Sequence, residues 1–476
     1  MTIELHERTA AAAVSAEVPH LATRRWAIRR RAGTSAGRRV VWSAGWLATA
    51  VWAGSFPLLS GLATHRTWGL CAAAGYLCAA GVAAWAPPSR ARPASAAVAL
   101  LGAVLLPLAL LLIGGQAQSE VSVIERSADL LVRTGSPYLP APQQVADFTP
   151  YLPGMALLGL PRVLLGATPL ADPRLWCAAA LPAFLAAGRS ALRPRGARSK
   201  GVGHAGAGWP SYRTGLTALF ASPVVALPVC VSGVDLPLTG ACCLGLALAA
   251  RGRPVAAGAA LALAFSFKWS AWPALPVALA LLATVYGGRA AVRCAVAGLA
   301  GTAALVVPVA VVAPHEMAEQ VLAFPTGRAA VPTPAGSPLP GHLLAGLGTA
   351  GWFAAVALLA LGGAALALSL LLRPPGSAVA AADRLALGLT LAFALAPAGR
   401  FGYLALPLVL VVWARLAELP AAQGEQAPVL PGPGRPATAT ATATAGRCPR
   451  QEVGSASPRR RRLTGPERTA PPGRSA

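Results

Sequence analysis

Between Ser95 and Thr134 the chain reads SAAVALLGAVLLPLALLLIGGQAQSEVSVIERSADLLVRT, an apolar run followed by a polar one with helical periodicity. The first part, residues 95–113, carries no charge and is long enough to cross a membrane as an α-helix. The second part begins at Ser119. Its apolar residues recur at helical spacing and share one face, at Val121, Ile124, Ala128, Leu131 and Val132. We therefore predict a membrane span that leads into a helix lying in the membrane interface.

The composition extends this interpretation to most of the chain. Of the 476 residues, 55% are hydrophobic and 12% are charged, against about 25% charged residues in an average soluble domain. The fold class predicted is therefore an all-α, polytopic membrane protein with 11–13 transmembrane helices and an extracytoplasmic loop that carries the interfacial helix. The apolar segments lie at about 41–63, 68–86, 95–113, 151–166, 173–191, 212–230, 235–250, 255–267, 271–286, 291–313, 343–372, 384–397 and 401–416.

The net charge of +24 is concentrated in the two tails and in short loops. This is the distribution expected when basic segments stay in the cytoplasm beside anionic lipid, so we predict membrane lipids and not nucleic acid as partners. Three regions follow: a basic tail at 1–39, a membrane domain at 40–416 and a low-complexity basic tail at 417–476. Both tails are predicted to be cytoplasmic and disordered, and the protein to lie in a bacterial plasma membrane.

Nine carboxylates lie between Val41 and Leu416, and alternation of the spans places eight of them on the outer side. An acidic group at membrane depth or in a tight outer loop is costly, which makes each a candidate for function. Only Asp383 falls on the inner side. The outer eight are Glu120, Glu125, Asp129, Asp147, Asp172, Asp235, Glu316 and Glu319.

The segment at 151–166 raises a topological difficulty. The loop before it is predicted outside and the basic stretch after residue 191 inside, yet two apolar segments lie between them where an odd number is needed. Segment 151–166 is short and contains Pro153, Pro161 and Arg162. Either it is re-entrant or interfacial, or an earlier span is misjudged.

Glu120 and Asp235 are candidate acidic site residues, and each has a structural alternative. Glu120 follows a span and could accept a proton from a sugar hydroxyl, or it could complement the helix dipole with Ser119 as the cap. Asp235, in SGVDLP, could bind a polar substrate or cap the following helix.

Tyr151, Lys268 and Arg400 complete the candidate set. Tyr151 could stack on a sugar or belong to an aromatic belt at the interface. Lys268, in AFSFKWSAWP, and Arg400, in APAGRFGY, could each bind a lipid-linked phosphate, or their side chains could extend to the interface as lone cations.

Known ligand-binding motifs are not evident. His315 and Glu316 are adjacent, but no second His follows at helical spacing, and the cysteines lack metal-ligand spacing. There is no Gly-Lys-Ser/Thr phosphate loop and no Rossmann glycine pattern. We therefore predict no metal and no cofactor.

The order of several short motifs resembles the GT-C superfamily of polytopic glycosyltransferases. It is most similar to the bacterial polyprenyl-phosphate-mannose-dependent mannosyltransferases, glycosyltransferase family 87, over about residues 95–416. The motifs are an acidic residue after an early span, Gly-Ser-Pro-Tyr at Gly135–Tyr138, Tyr-Leu-Pro at Tyr151–Pro153, Ser-Gly-Val-Asp at Ser232–Asp235, Arg-Gly-Arg-Pro followed by Ala-Gly at Arg251–Gly258, and Lys268 before a Trp/Pro-rich span.

The resemblance implies an inverting, metal-independent transfer of a hexose, mannose by analogy, from a polyprenyl phosphate carrier to an extracytoplasmic lipid or glycan acceptor. It also implies that Glu120 is the catalytic base, although the family usually has Asp there and Tyr-Pro-Pro where this chain has Tyr-Leu-Pro. We expect Lys268 and Arg400 to bind the lipid phosphate, and Asp235 and Tyr151 to orient the sugar. The alternatives are a transporter or flippase of lipid-linked sugar, and a membrane protein without catalytic activity.

Overall fold

A computed structural model describes residues 35–193 and 210–419. Helices form nearly all of its regular structure, and within these two ranges the only β pairing is an isolated bridge between Gly336 and Gly399. The chain is therefore an all-α, multi-pass membrane protein, as the composition predicts. Most of the two predicted tails lies outside the described residues. The first described helix nevertheless already includes Arg38 and Arg39, which the sequence assigned to the N-terminal tail.

Seventeen α-helices are named here in chain order, with short 3₁₀ and π segments between or within them. They are α1 (Ser35–Leu59), α2 (Ala63–Trp85), α3 (Pro88–Ile113, with a π segment at Leu101–Leu105), α4 (Ser119–Thr134), α5 (Leu160–Leu165), α6 (Pro173–Leu192), α7 (Tyr212–Phe220), α8 (Pro223–Val231), α9 (Leu236–Ala250), α10 (Pro254–Phe267), α11 (Ala274–Tyr286), α12 (Gly288–Val312), α13 (Pro314–Met317), α14 (Pro340–Ala345), α15 (Thr349–Leu372), α16 (Ala378–Leu395) and α17 (Ala405–Ala417).

Helix length separates the candidate membrane spans from shorter apolar helices. Among the described residues, seven helical segments are long and apolar enough to cross a membrane, and the α7–α8 pair, bent by 56°, makes eight if it is one broken span. Four further apolar helical segments have only 10–17 residues. The predicted range of 11–13 spans is therefore reached only if short helices also count.

The disputed segment at 151–166 folds as a 3₁₀ helix, Pro153–Gly159, followed directly by α5. These thirteen residues extend roughly 23 Å at the usual rise per residue, which is less than the ~30 Å of a bilayer core. Both pieces pack against the amphipathic helix α4. The segment is therefore shorter than a full membrane span, and its re-entrant or interfacial placement stays a prediction.

Helix α9 lies at the centre of the bundle. It contacts α6, α10, α11, α16 and α17, and almost all of its residues are buried. Glycines permit this close packing, because a side chain at Gly240 would meet Phe184 and one at Gly245 would meet Leu261. The helix carries no charge along its length, and Asp235 stands immediately before its first residue.

Helices α2 and α3 approach each other most closely where Gly75 faces Gly102. A Cβ added at Gly75 would lie 2.6 Å from the Gly102 Cα and 3.0 Å from its carbonyl carbon. Both contacts are with backbone, which cannot move aside as the end of a side chain can. The pair of glycines is therefore required for the spacing of these two helices.

We expect Gly75→Ala to lower the free energy of unfolding by about 1–3 kcal/mol through overpacking. Gly45→Ala in α1 is the matched control, because a Cβ there meets nothing within 4 Å, and it should be neutral or slightly stabilising. Thermal unfolding midpoints of the purified proteins in one detergent provide the measurement. Equal midpoints for the two variants would contradict this account of the helix contact.

Candidate functional site

Glu120 and Arg400 form an ion pair across 280 residues of sequence. Glu120 lies in the first turn of α4, and Arg400 lies between α16 and a 3₁₀ turn, Phe401–Leu404. The Glu120 side chain is 15% exposed and that of Arg400 is 36% exposed. The predicted cap is wrong: Gln118, not Ser119, precedes the helix, and it makes no side-chain cap bond.

Asp235 and Lys268 form a second ion pair. The ammonium Nζ of Lys268 lies 3.0 Å and 3.3 Å from the two carboxylate oxygens of Asp235. Asp235 makes no side-chain cap bond to α9, so its structural alternative as a helix cap does not hold. Lys268 does not extend to the surface, because its side chain is only 13% exposed. Burial disfavours its charge, but Asp235 and Tyr403 together more than offset this effect, and the pKa of Lys268 is raised.

Two tyrosines connect the ion pairs. The Nζ of Lys268 lies 4.4 Å from the ring centre of Tyr403 and 5.7 Å from that of Tyr151, within the range of cation–π attraction. Tyr403 is three residues from Arg400 in the same 3₁₀ turn. Burial, and next the carboxylates of Glu120 and Asp235, raise the pKa of Tyr151 well above its ordinary range, so the phenol stays protonated. All five candidate residues therefore belong to one group, named here the ionic cluster: Glu120, Tyr151, Asp235, Lys268 and Arg400, with Tyr403.

Local backbone structure brings Tyr151 into the cluster. The backbone N–H of Leu152 donates to the carbonyl of Phe267, which directly precedes Lys268. The hydroxyl of Tyr138 donates to the carbonyl of Tyr151, at 3.0 Å. Tyr151 itself is buried, so it is not part of an aromatic belt at the surface. Its ring forms part of the wall beside Lys268.

The cluster joins five segments that are distant in sequence. They are the first turn of α4, the loop before the 3₁₀ helix Pro153–Gly159, the turn between α8 and α9, the turn after α10, and the turn between α16 and α17. Its four charged groups balance as two anions and two cations. Such an arrangement can take a proton at a carboxylate and can present two cations to an anion that displaces the carboxylates.

Sequence reasoning missed Arg174, which is the most buried charged side chain in the described ranges, at 1% exposure. Its guanidinium bonds both oxygens of Asp172, at 2.7–2.9 Å, and donates to the carbonyls of Gln116 and Cys230. It therefore ties the start of α6 to the loop before α4 and to the end of α8. Its sequence context, DPRLW, offers only the Asp-to-Arg spacing as a signal, and that spacing is common at helix starts.

Sequence reasoning also missed Gln320, which lies in the loop between α12 and α14, named here the second outer loop after its predicted side, because polar residues in loops are usually exposed. The residue lies in a π segment, Ala318–Ala323, and is fully buried. Its amide accepts a bond from the N–H of Thr149 and donates to the carbonyl of Leu139, which holds this loop against the first one.

The other outer carboxylates stay away from the cluster. His315 is exposed, and within the described ranges no ion pair links Glu316 or Glu319 to the cluster. Asp147 accepts bonds from the backbone N–H groups of Gln144 and Gln143, which lower its pKa. No group of three or more His, Cys, Asp or Glu side chains in the described residues could hold a metal ion.

We expect Arg174→Met to lower the free energy of unfolding by about 3 kcal/mol or more, because it leaves Asp172 without its partner and two carbonyls without a donor. Arg162→Met is the matched control. Arg162 lies on the neighbouring α5, is more exposed, and stands 3.7 Å from Glu125, so its loss should cost no more than about 1 kcal/mol. Denaturation in detergent compares the two, and an equal loss for both would overturn the role given to Arg174.

Comparisons with protein-family models, with curated proteins and with solved structures give no match to this chain. The functional interpretation therefore depends on the ionic cluster itself.

Proposed function

We propose that this protein is a membrane glycosyltransferase that moves a hexose, mannose by the resemblance, from a polyprenyl phosphate carrier to a lipid or glycan acceptor outside the cytoplasm. The observation that carries the proposal is the meeting of two carboxylates, two cations and two tyrosines from five separate segments of the chain. A transfer from a sugar phosphate needs a base for the acceptor and cations for the leaving phosphate, and the cluster contains both.

Glu120 acts as the base in this proposal. The acceptor oxygen forms a bond to the anomeric carbon while its proton passes to the Glu120 carboxylate. The bond between the anomeric carbon and the phosphate oxygen breaks, and its electron pair leaves with the lipid phosphate. The position of Glu120 supports this role, because it is partly exposed at the start of an amphipathic helix, where a polar acceptor and a lipid carrier can meet.

Arg400 and Lys268 stabilise the leaving phosphate. In the ligand-free protein each is paired with a carboxylate, so an incoming phosphate has to compete for both. When the phosphate takes Arg400, Glu120 loses its ion-pair partner and becomes available to the acceptor proton. Binding of the donor and preparation of the base are therefore one event in this scheme. The rigid fork of Arg400 suits a phosphate better than a lone ammonium would.

Tyr151 and Asp235 orient the sugar, and the apolar segment beside them accommodates the carrier tail. Tyr151 offers a protonated phenol and a ring face, and Asp235 offers carboxylate oxygens beside Lys268. Leu157, Leu164 and Leu165 expose apolar side chains along the interfacial segment that follows. A polyprenyl tail lying there would keep its phosphate near the cluster.

Glu120→Gln should reduce sugar transfer by about 10²–10⁴-fold and leave the unfolding midpoint nearly unchanged, because the amide cannot accept the proton. Glu125→Gln, on the same helix, is the matched control and should retain activity. The assay supplies labelled polyprenyl-phosphate-mannose and a cell-envelope extract to purified protein in lipid vesicles. Transfer that persists in Glu120→Gln would exclude this residue as the base.

The same vesicles test the principal alternative. A flippase would carry the labelled donor across the bilayer without forming a glycosylated product. Transporters of this kind are expected to show paired broken helices, whereas the described residues contain one strongly bent pair, α7–α8. Translocation without transfer by the wild-type protein would replace the enzyme proposal with that function.

Arg400→Gln should raise the KM for the donor by roughly 10- to 100-fold and also lower kcat, because it removes a charge-assisted bond that forms with the phosphate in the ground state and strengthens as negative charge develops in the transition state. The KM for the acceptor should stay the same. Arg328→Gln serves as the control, since this arginine is exposed in the second outer loop, away from the cluster. An unchanged donor KM in Arg400→Gln would argue against phosphate binding at this position.

A further inference from the structure

A second candidate site lies at the other end of the first three helices. A cavity of about 180 Å³ opens between the start of α1, the end of α2 and the start of α3. Its volume corresponds to roughly six water molecules, enough for a phosphate group and part of a headgroup. The lining residues are Arg38, Arg39, Trp42, Ala83, Pro88, Ala91 and Arg92.

The lining is strongly positive. Among the residues that the structure describes, it includes three arginines and no carboxylate. The start of α3 also borders the cavity, and the amino end of a helix carries partial positive charge. Arg39 donates to the carbonyls of Ala84 and Ala86 at the end of α2, yet its Nε is buried and has no hydrogen-bond partner among the described residues. The site is therefore complementary to an anion with several acceptor oxygens.

The surroundings are those of a membrane interface. Trp85, at the end of α2, is 87% exposed, and Val40 and Val41 expose apolar side chains on α1 directly beside Arg39. Trp42 fixes the inner wall, because its indole N–H donates to the Ser95 hydroxyl and its ring lies 5.9 Å from the Arg92 guanidinium carbon. Exposed Trp and Val beside a group of arginines are typical of the headgroup level of a bilayer.

We propose that this cavity binds the phosphodiester headgroup of an anionic phospholipid, with Arg38, Arg39 and Arg92 around the phosphate. The apolar surface of α1 and the exposed Trp85 favour a lipid over a free phosphate, because acyl chains attached to the headgroup would cover these side chains. The site is independent of the ionic cluster and of the proposed transfer reaction. It fixes the first three helices to the leaflet in which the basic segments lie.

The test measures lipid binding to the purified full-length protein in detergent by native mass spectrometry. Short-chain phosphatidylglycerol is titrated against short-chain phosphatidylcholine. We expect one phosphatidylglycerol to bind at least tenfold more tightly than phosphatidylcholine. The double variant Arg38→Gln/Arg92→Gln should weaken this binding by roughly 10- to 30-fold. This range is the product of two effects, because each arginine near a membrane surface is expected to contribute less than about tenfold.

Arg90→Gln is the matched control, because Arg90 lies in the same turn but is exposed and does not line the cavity. It should bind phosphatidylglycerol as the wild type does. Unfolding midpoints without lipid establish that each variant is folded, and if the Gln pair does not fold, Arg38→Lys/Arg92→Lys takes its place with a smaller expected loss.

Three outcomes would overturn the proposal. Equal affinity for the two lipids would remove the preference for an anion, and unchanged binding in the folded double variant would place the lipid elsewhere. Displacement of the lipid by millimolar inorganic phosphate would identify a site for free phosphate instead of a lipid headgroup.

Discussion

The burial of α9 on all sides is the constraint on which the rest of the bundle depends. A helix that contacts five others can carry no charge along its length, and the charged group nearest to it in sequence is Asp235, immediately before its first residue. Lys268 lies at the end of α10, the helix that packs along α9, and its side chain is only 13% exposed against 29% for Asp235. The ammonium of Lys268 therefore needs the carboxylate of Asp235 beside it, because burying an unpaired charge costs several kcal/mol. One ion pair is thus a consequence of how the core is packed.

The second ion pair follows from the first through the aromatic residues. Lys268 contacts the rings of Tyr403 and Tyr151, and Tyr403 lies in the turn that carries Arg400. Arg400 in turn holds Glu120 at the start of the amphipathic helix. Each cation is paired with a carboxylate, and both cations are more exposed than Arg174, at 36% for Arg400 and 13% for Lys268 against 1%. In our proposal Arg174 therefore serves stability, whereas the cations of the cluster can exchange a carboxylate for an incoming phosphate.

Sequence alone locates Glu120, Asp235, Lys268 and Arg400, because polar residues at the ends of apolar runs are conspicuous. It does not reveal their partners, since Glu120 and Arg400 are 280 residues apart and helical periodicity carries no information at that range. The same limit applies to the helix-cap alternative for Asp235. Its position before α9 is typical of a capping residue, and sequence periodicity does not reveal that its side chain binds Lys268 instead. Arg174 and Gln320 escape sequence reasoning because their roles depend on carbonyl groups of distant loops. The number of spans is difficult to predict from sequence because some apolar helices, such as α9 and α10, are too short to cross a membrane by themselves. Packing inside the bundle allows such short helices.

The ionic cluster and the arginine cavity differ in how they would bind an anion. At the ionic cluster, Glu120 and Asp235 already occupy the cations, so a phosphate binds only by displacing a carboxylate. This competition weakens binding and suits a group that has to leave after reaction. At the arginine cavity between α1, α2 and α3 the lining residues that the structure describes include three arginines and no carboxylate. In our proposal an anion there is held by these arginines and by the amino end of α3, as expected of a lipid that anchors the protein.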